Sequence, residues 1–178
     1  IGISFGLYHL NIIKNINNLR NKYYKLIKGL DINLIDNLIA KNFNTFKKNI
    51  YKESYSLVQY HKSKGNVIIA ISASIEPIIK EICKELSIEN YISTKLEIIN
   101  NKLTGKIDGI AVYGQNKLSL LQEYIKKNNI QYSKVIFYSD HISDKELFEF
   151  SDIPICVNPD KKLKNIAKIN NWETMNFN

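Results

Sequence analysis

The run Val67-Ile-Ile-Ala-Ile71 is apolar at every position, and two similar runs follow it, Val135-Ile-Phe-Tyr138 and Ile153-Pro-Ile-Cys-Val157. A strand with one wet face alternates apolar and polar residues, so a strand apolar throughout needs cover on both faces. Helices give that cover to a parallel sheet, whose strands cannot be joined by tight turns and need crossover segments. The residues behind the runs supply such segments. Ile75, Ile78, Ile79, Ile82 and Leu86 follow the first run at helical spacing, and Leu163, Ile166, Ala167 and Ile169 follow the third. The pattern predicts an α/β fold with a parallel sheet and right-handed crossovers. Pro154, early in the third run, points to an edge position, since proline cannot donate to a ladder.

The remaining segments fit around this frame. Apolar residues recur at helical spacing from Leu7 to Ile27, Gly29 interrupts, and Asp31 is placed to cap a second helix carrying Ile32, Ile35, Leu38 and Ile39. A third helical stretch starts near Ile50, with Tyr51, Tyr55 and Val58 on one face, and ends at Gly65. Leu96–Ile99 and Lys102–Ile107, separated by Asn100-Asn101, predict a hairpin. Gln115 to Lys127 reads as a helix through Leu118, Leu121, Tyr124 and Ile125.

Composition narrows the class. With 44% apolar and 24% charged residues the chain has the makings of a packed core rather than of a disordered tail. The net charge of +8 would suit an anionic partner. Lys is nevertheless spread along the chain together with Ile and Asn, the mark of a biased composition rather than of a binding face. Neither an RNA-binding aromatic signature nor zinc spacing accompanies it, so nucleic acid is not expected as a partner. Cys83 and Cys156 sit inside apolar periodic segments and read as buried, reduced thiols. No apolar run nears the ~20 residues of a membrane span. A cytoplasmic location is expected.

In parallel α/β sheets ligands gather outside the carboxyl ends of the strands. Behind Ile71 lies Ser72-Ala-Ser74, with Glu76 and Pro77 after it. Ser74 can simply cap the helix, or the Ser72 hydroxyl and backbone N–H groups at the helix start can hold a phosphate. Behind Tyr138 come Asp140 and Asp144. Ser143 and Glu146 stand in capping-box spacing, which accounts for Asp144 as a first-turn carboxylate. The same carboxylates would also suit a hard cation, which prefers oxygen ligands. Between the two segments, Lys117 begins a helix, where a cation opposes the dipole. It is either a surface lysine or a group aimed at phosphate.

Ser, then Lys, then an Asp pair, each at the edge of an α/β unit, resembles the haloacid dehalogenase superfamily, in particular its phosphoserine-phosphatase-like branch. Ser72 in AISAS is similar to the second motif of that family, Lys117 in YGQNK to the third, and Asp140 and Asp144 in YSDHISD to the fourth. HKSKGNVIIAISAS, STKLEIINNKLTGKIDG and VNPDKKLKNIAKINNW also look like segments of this branch. The resemblance covers most of the chain from about Ile50 and, more loosely, the helical part before it. It implies a Rossmann-like three-layer core over residues 51–178 and a helical cap over 1–50. It also implies a Mg2+-dependent phosphomonoester hydrolase acting on a small phosphorylated substrate through an aspartyl-phosphate. Ser72 and Ala73 would bind the phosphoryl group, and Lys117 would offset its charge. Asp140 would be a metal ligand, and Asp144 would support Lys117 and the metal shell.

Three departures stand beside the match. The first motif of the family, Asp-x-Asp followed by Gly or Ser and Thr, has no counterpart in the 178 residues. That motif ends a central strand between those represented by Val67–Ile71 and Val135–Tyr138. The chain begins at Ile1 and has its only methionine at Met175. The expectation is a truncated member, inactive by itself, and the alternative is a non-catalytic remnant that binds anions or a partner. Ser139 stands where the family has Gly, and His141 where it has a small residue; His141 is read as a solvent-facing turn residue. His9 and His61 read as structural or exposed.

Overall fold

The computed structural model describes residues 22–178. The expected helix from Leu7 to Ile27 lies mostly outside them, with only its end visible as a helical stretch over 22–26. Helix α1 spans Ile32–Lys47, and Asp31 caps it as expected, its Oδ1 accepting from the Asn33 amide at 2.8 Å. Helix α2 spans Lys52–Ser63 and buries Val58 and His61. Strand β1 (Ile69–Ile75), helix α3 (Glu76–Leu86), strand β2 (Asn90–Ile99) and strand β3 (Lys102–Asp108) form the next unit. Then come helix α4 (Asn116–Lys127), strand β4 (Ile136–Ser139), a 3-10 turn at Ile142–Asp144 and helix α5 (Lys145–Phe150). Strand β5 (Ile153–Val157), helix α6 (Lys161–Asn170) and strand β6 (Glu173–Met175) complete the order.

Among the described residues the strands make two sheets of three, in the orders β1-β2-β3 and β4-β5-β6. β1 runs parallel to β2, and β4, β5 and β6 are all parallel, as the unbroken apolar runs required. β3 folds back antiparallel on β2 through Asn100 and Asn101, whose φ values of 50° and 62° are those of a primed hairpin turn. Alternate residues of β4 show the layers. Tyr138 meets His61 of α2, while Phe137 packs edge-on against Phe148 of α5 at 5.0 Å, so helices lie on opposite faces of the sheet.

The residues before α1 are tied to the hairpin. Gly29 N–H donates to the Leu103 carbonyl at 2.7 Å, and Leu103 N–H to that of Leu30 at 2.9 Å. Tyr24, Leu96 and Leu103 form the cluster beneath, with Ile32 and Ile35 against it. A side chain at Gly105 would come within 3.2 Å of the Tyr24 carbonyl, so this close approach needs glycine. The second cluster joins Phe148, Cys156, Leu163 and Ala167, and Trp172 stacks on Phe148 at 4.8 Å. Both thiols are free and buried, as expected, and burial pushes Cys83 up to about 11. Among the described residues no helix is long and apolar enough to cross a membrane.

Several local expectations fail for physical reasons. β1 extends through Ser72, Ala73 and Ser74, and Ile75 rather than Ser74 holds the cap position of α3, without a side-chain bond. β5 is central in its sheet, not an edge. Pro154 is tolerated because it pairs only with Phe137, the ladder to β6 beginning one residue later at Ile155. Ser143 does not cap α5. The cap position of the preceding 3-10 turn belongs to His141, whose ring nitrogen accepts from the Ser143 amide at 3.0 Å. His141 is therefore a half-buried capping residue and not a solvent-facing one.

Candidate active site

The carboxyl ends of β1 and β4 meet at one end of a cleft of about 860 Å³, lined there by Ser72, Lys117, Ser139, Asp140 and Asp144. Four of the five residues singled out in the sequence thus come together. Ala73 does not line the cleft; its carbonyl accepts from Thr94 Oγ1 at 3.2 Å.

Lys117 is not a surface lysine. It is 7% exposed in the first turn of α4, and its Nζ donates to both oxygens of Asp144 at 2.7 and 2.8 Å. Asp144 is 6% exposed. Placing a cation at the positive end of a helix and both charges out of water is costly unless each is matched. The matching is thorough. Ser139 Oγ donates to Asp144 Oδ2 at 2.8 Å and accepts from the His141 amide at 3.3 Å. Ser143 Oγ lies 3.2 Å from Asp144 Oδ1 and 2.9 Å from His141 Nδ1, so its one proton serves either of them. The Asp144 carboxylate is thereby held as the fixed counter-ion of Lys117.

Asp140 differs. It is exposed at the end of β4, and its carboxylate has no hydrogen-bonding or ionic partner among the described residues. Ser72 stands where the ladder between β1 and β2 breaks, the register shifting between Ser72 and Ile75. Its Oγ accepts from the Ser74 amide at 3.2 Å, which leaves its proton for a ligand. Such bulges commonly re-aim a side chain beside a site.

Two positioning residues were not recognised from sequence. Thr94, 2% exposed, accepts from the Val112 amide at 3.2 Å as it donates to Ala73, and so ties the end of β1 to the segment leading into α4. Ser139 had registered only as a departure from Gly; its hydroxyl is what orients Asp144. A hydroxyl five residues before an acid was a signal that could have been read. His61 is structural: its Nδ1 lies 2.9 Å from Asn66 Nδ2 and its Nε2 2.9 Å from Tyr138 Oη. Burial lowers its pKa.

The donor chemistry fits a hard cation in kind, because the acids of the site offer only oxygen and Asp140 is uncommitted. The set is partial, since no group of three metal-ligating side chains occurs among the described residues.

The haloacid dehalogenase-like hydrolase family model matches residues 6–149. The chain belongs to this family. It is 33% identical over 125 residues to histidinol-phosphatase of Neisseria meningitidis serogroup C (strain 8013), covering 68% of this chain and 56% of that protein. It is 22% identical over 128 residues to a phosphoserine phosphatase of Mycobacterium tuberculosis, covering 72% of this chain and 42% of that one. The haloacid dehalogenase-like fold recurs in a probable phosphoserine phosphatase from Vibrio cholerae, with a TM-score of 0.72 at 17% identity over 98% of this chain and 50% of that one. The chain spans about half the length of the curated relatives it matches.

Proposed function

We propose that the chain carries the phosphate-binding and charge-compensating part of a Mg2+-dependent phosphomonoester hydrolase acting on a small phosphorylated substrate. The observation that carries this reading is the buried Lys117–Asp144 pair beside Ser72 and an uncommitted Asp140. Ser72 donates its hydroxyl proton to a phosphoryl oxygen. Lys117, fixed by Asp144, offsets the charge that the transferring group carries; such catalysis is mainly positioning and electrostatics. Asp140 is the carboxylate that would hold the metal, with Asp144 supporting it through Lys117. When bound, Mg2+ would neutralise phosphoryl charge and help align the displacement. Residues 1–50 act as the cap over the core of 51–178 and keep water out.

The attacking carboxylate of the first motif has no counterpart in the 178 residues, so on this reading they do not turn over substrate alone. The test extends the chain before Ile1 by an apolar strand ending in Asp-x-Asp and assays p-nitrophenyl phosphate. Turnover is expected only with Mg2+, and Lys117→Met should lower kcat by roughly 10²–10³-fold, the usual weight of one such charge-stabilising group. A folded extended chain without turnover refutes the hydrolase. If that chain still bound inorganic phosphate, the anion-binding remnant would be the better account.

A further inference from the structure

The Asp144 carboxylate is nearly filled with donors. A carboxylate offers about four acceptor positions, shared between its two oxygens. Oδ2 takes Lys117 Nζ at 2.8 Å and the Ser139 hydroxyl at 2.8 Å. Oδ1 takes Lys117 Nζ at 2.7 Å and faces the Ser143 hydroxyl at 3.2 Å. The Ser139 proton has a fixed direction, because its oxygen already accepts from the His141 amide. Ser143 is the loose member. Its 3.2 Å lies beyond the roughly 2.5–3.0 Å of a good O–H···O bond, while the same hydroxyl stands 2.9 Å from His141 Nδ1. That nitrogen accepts the Ser143 amide at 3.0 Å, so it carries a lone pair and not a proton. Charge favours the carboxylate as acceptor, and distance favours the imidazole. A hydroxyl rotates to suit its surroundings, so Ser143 has two seats for one proton. His141 stands where the family has a small residue, which makes the second seat a feature of this chain.

We propose that Ser143 and His141 are positioning residues that open and close one acceptor position on Asp144. With the Ser143 proton on Asp144, the carboxylate is filled and serves Lys117 alone. With the proton turned to His141 Nδ1, Oδ1 keeps its bond to Lys117 and gains a lone pair for a donor that the ligand brings. Any other opening on Asp144 would break a bond to Lys117 or to the amide-held Ser139. Asp140 lines the same end of the cleft and is uncommitted, so the matching ligand is a hydrated hard cation, whose retained waters are the donors. The proposal rests on the reading of this site as Mg2+-dependent, and its test needs no turnover.

The test uses the full chain and begins without metal. The 15N resonance of His141 Nδ1 should move in Ser143→Ala, which removes the hydroxyl and keeps the amide donor; an unmoved resonance overturns the shared proton. Mn2+ is then titrated by loss of its free-ion EPR signal. Ser143→Ala leaves Oδ1 open and should bind at least as tightly as the parent chain. His141→Phe confines the proton to Asp144 and should bind roughly tenfold more weakly, the loss of one hydrogen bond to a charged group. His141→Asn, whose amide oxygen can replace Nδ1 as acceptor, should keep the parent affinity. The deciding variant joins His141→Phe to Ser143→Ala, where removing the confined proton should restore binding. If it stays as weak as His141→Phe, the imidazole holds the turn and not the proton, and the proposal falls. Equal binding by every variant also overturns it and leaves the hydrolase standing. Absence of Mn2+ binding by the parent chain overturns the role toward a cation, and turnover by the extended chain then decides the hydrolase separately.

Discussion

The two half-sheets on either side of the cleft are built differently. In the β4-β5-β6 half the buried cluster is dry, with Phe148, Cys156, Leu163 and Ala167 each 0% exposed. In the β1-β2-β3 half Tyr24 and Leu96 remain 8% exposed, and the cluster is completed by half-buried isoleucines from α1 and β1. The former has three parallel strands, helical cover and an aromatic stack; the latter ends in a hairpin arm packed against Tyr24 and against Ile32 and Ile35 of α1. The residues of the candidate site divide along the same line. Lys117, Ser139 and Asp144 form a finished unit beside β4, whereas Ser72 and Ala73 stand on β1. The difference teaches that the Lys117–Asp144 part of the candidate site is preassembled, while the placing of Ser72 against it depends on how the two halves are held in register.

The largest expected effect tests that asymmetry directly. Phe148→Ala removes a ring packed on Phe137 and Trp172 and should cost about 3–5 kcal/mol in urea unfolding. Leu96→Ala, in a cluster that can relax toward its helix and loop, should fall near the low end for such changes, about 2 kcal/mol. Equal costs would break the contrast.

Nearly as large is the effect of opening the buried pair. Asp144→Ala leaves Lys117 without its partner and should cost about 3–5 kcal/mol, whereas Lys117→Met with Asp144→Leu should be near neutral. Urea midpoints of the two variants measure this. If the single and double variants were equally unstable, the pair would matter through packing and not through charge.

This unit also shows how far the sequence could be read. The unbroken apolar runs gave away three strands because helical cover leaves no polar position in them. β6 and the first half of β2 were hidden: Glu173-Thr-Met175 is too short and too polar, and Asn90–Lys95 lacks both alternation and an apolar run. Pro154 misled because an edge is a local property, decided by where β6 begins. Ser72, Asp140 and Asp144 were legible as residue types behind strands, and Lys117 as a cation at a helix start. What they do was less so, since Ser139 and Thr94 act through hydrogen bonds between segments distant in sequence or turned by a loop.

A smaller, pH-dependent effect bears on the join between the halves. His61 of α2 reaches Tyr138 of β4 across it. With Asn66 donating to Nδ1, the neutral ring carries its proton on Nε2 and donates it to Tyr138 Oη. Burial holds the folded pKa below the ordinary 6.5, so the unfolded chain binds the proton more tightly. The stability due to neutral His61 is therefore full above pH 6.5 and lost as pH falls through the folded pKa. Thermal midpoints should drop between pH 7 and pH 5, and His61→Gln should flatten that slope whatever it does to the midpoint itself. An unchanged slope would show that the imidazole is not a titrating tie between the halves.

The smallest effects on stability compare one site residue from each half. Ser72→Ala and Asp140→Asn lie at or near the surface of the cleft, and each should shift the urea midpoint by no more than about 0.5 kcal/mol. Their effects on ligand should separate. Ser72→Ala removes one hydrogen bond to a charged group, which is worth about 1.5–3 kcal/mol, or roughly a 10- to 100-fold loss of inorganic phosphate affinity with or without Mg2+. Asp140→Asn removes a repulsive charge and, on the proposed reading, a metal ligand together. Phosphate binding without Mg2+ should hold or tighten slightly, and its enhancement by Mg2+ should vanish. If both variants instead lost phosphate alike in the absence of metal, Asp140 would be shaping the cradle itself, and the division of labour between the halves would not hold.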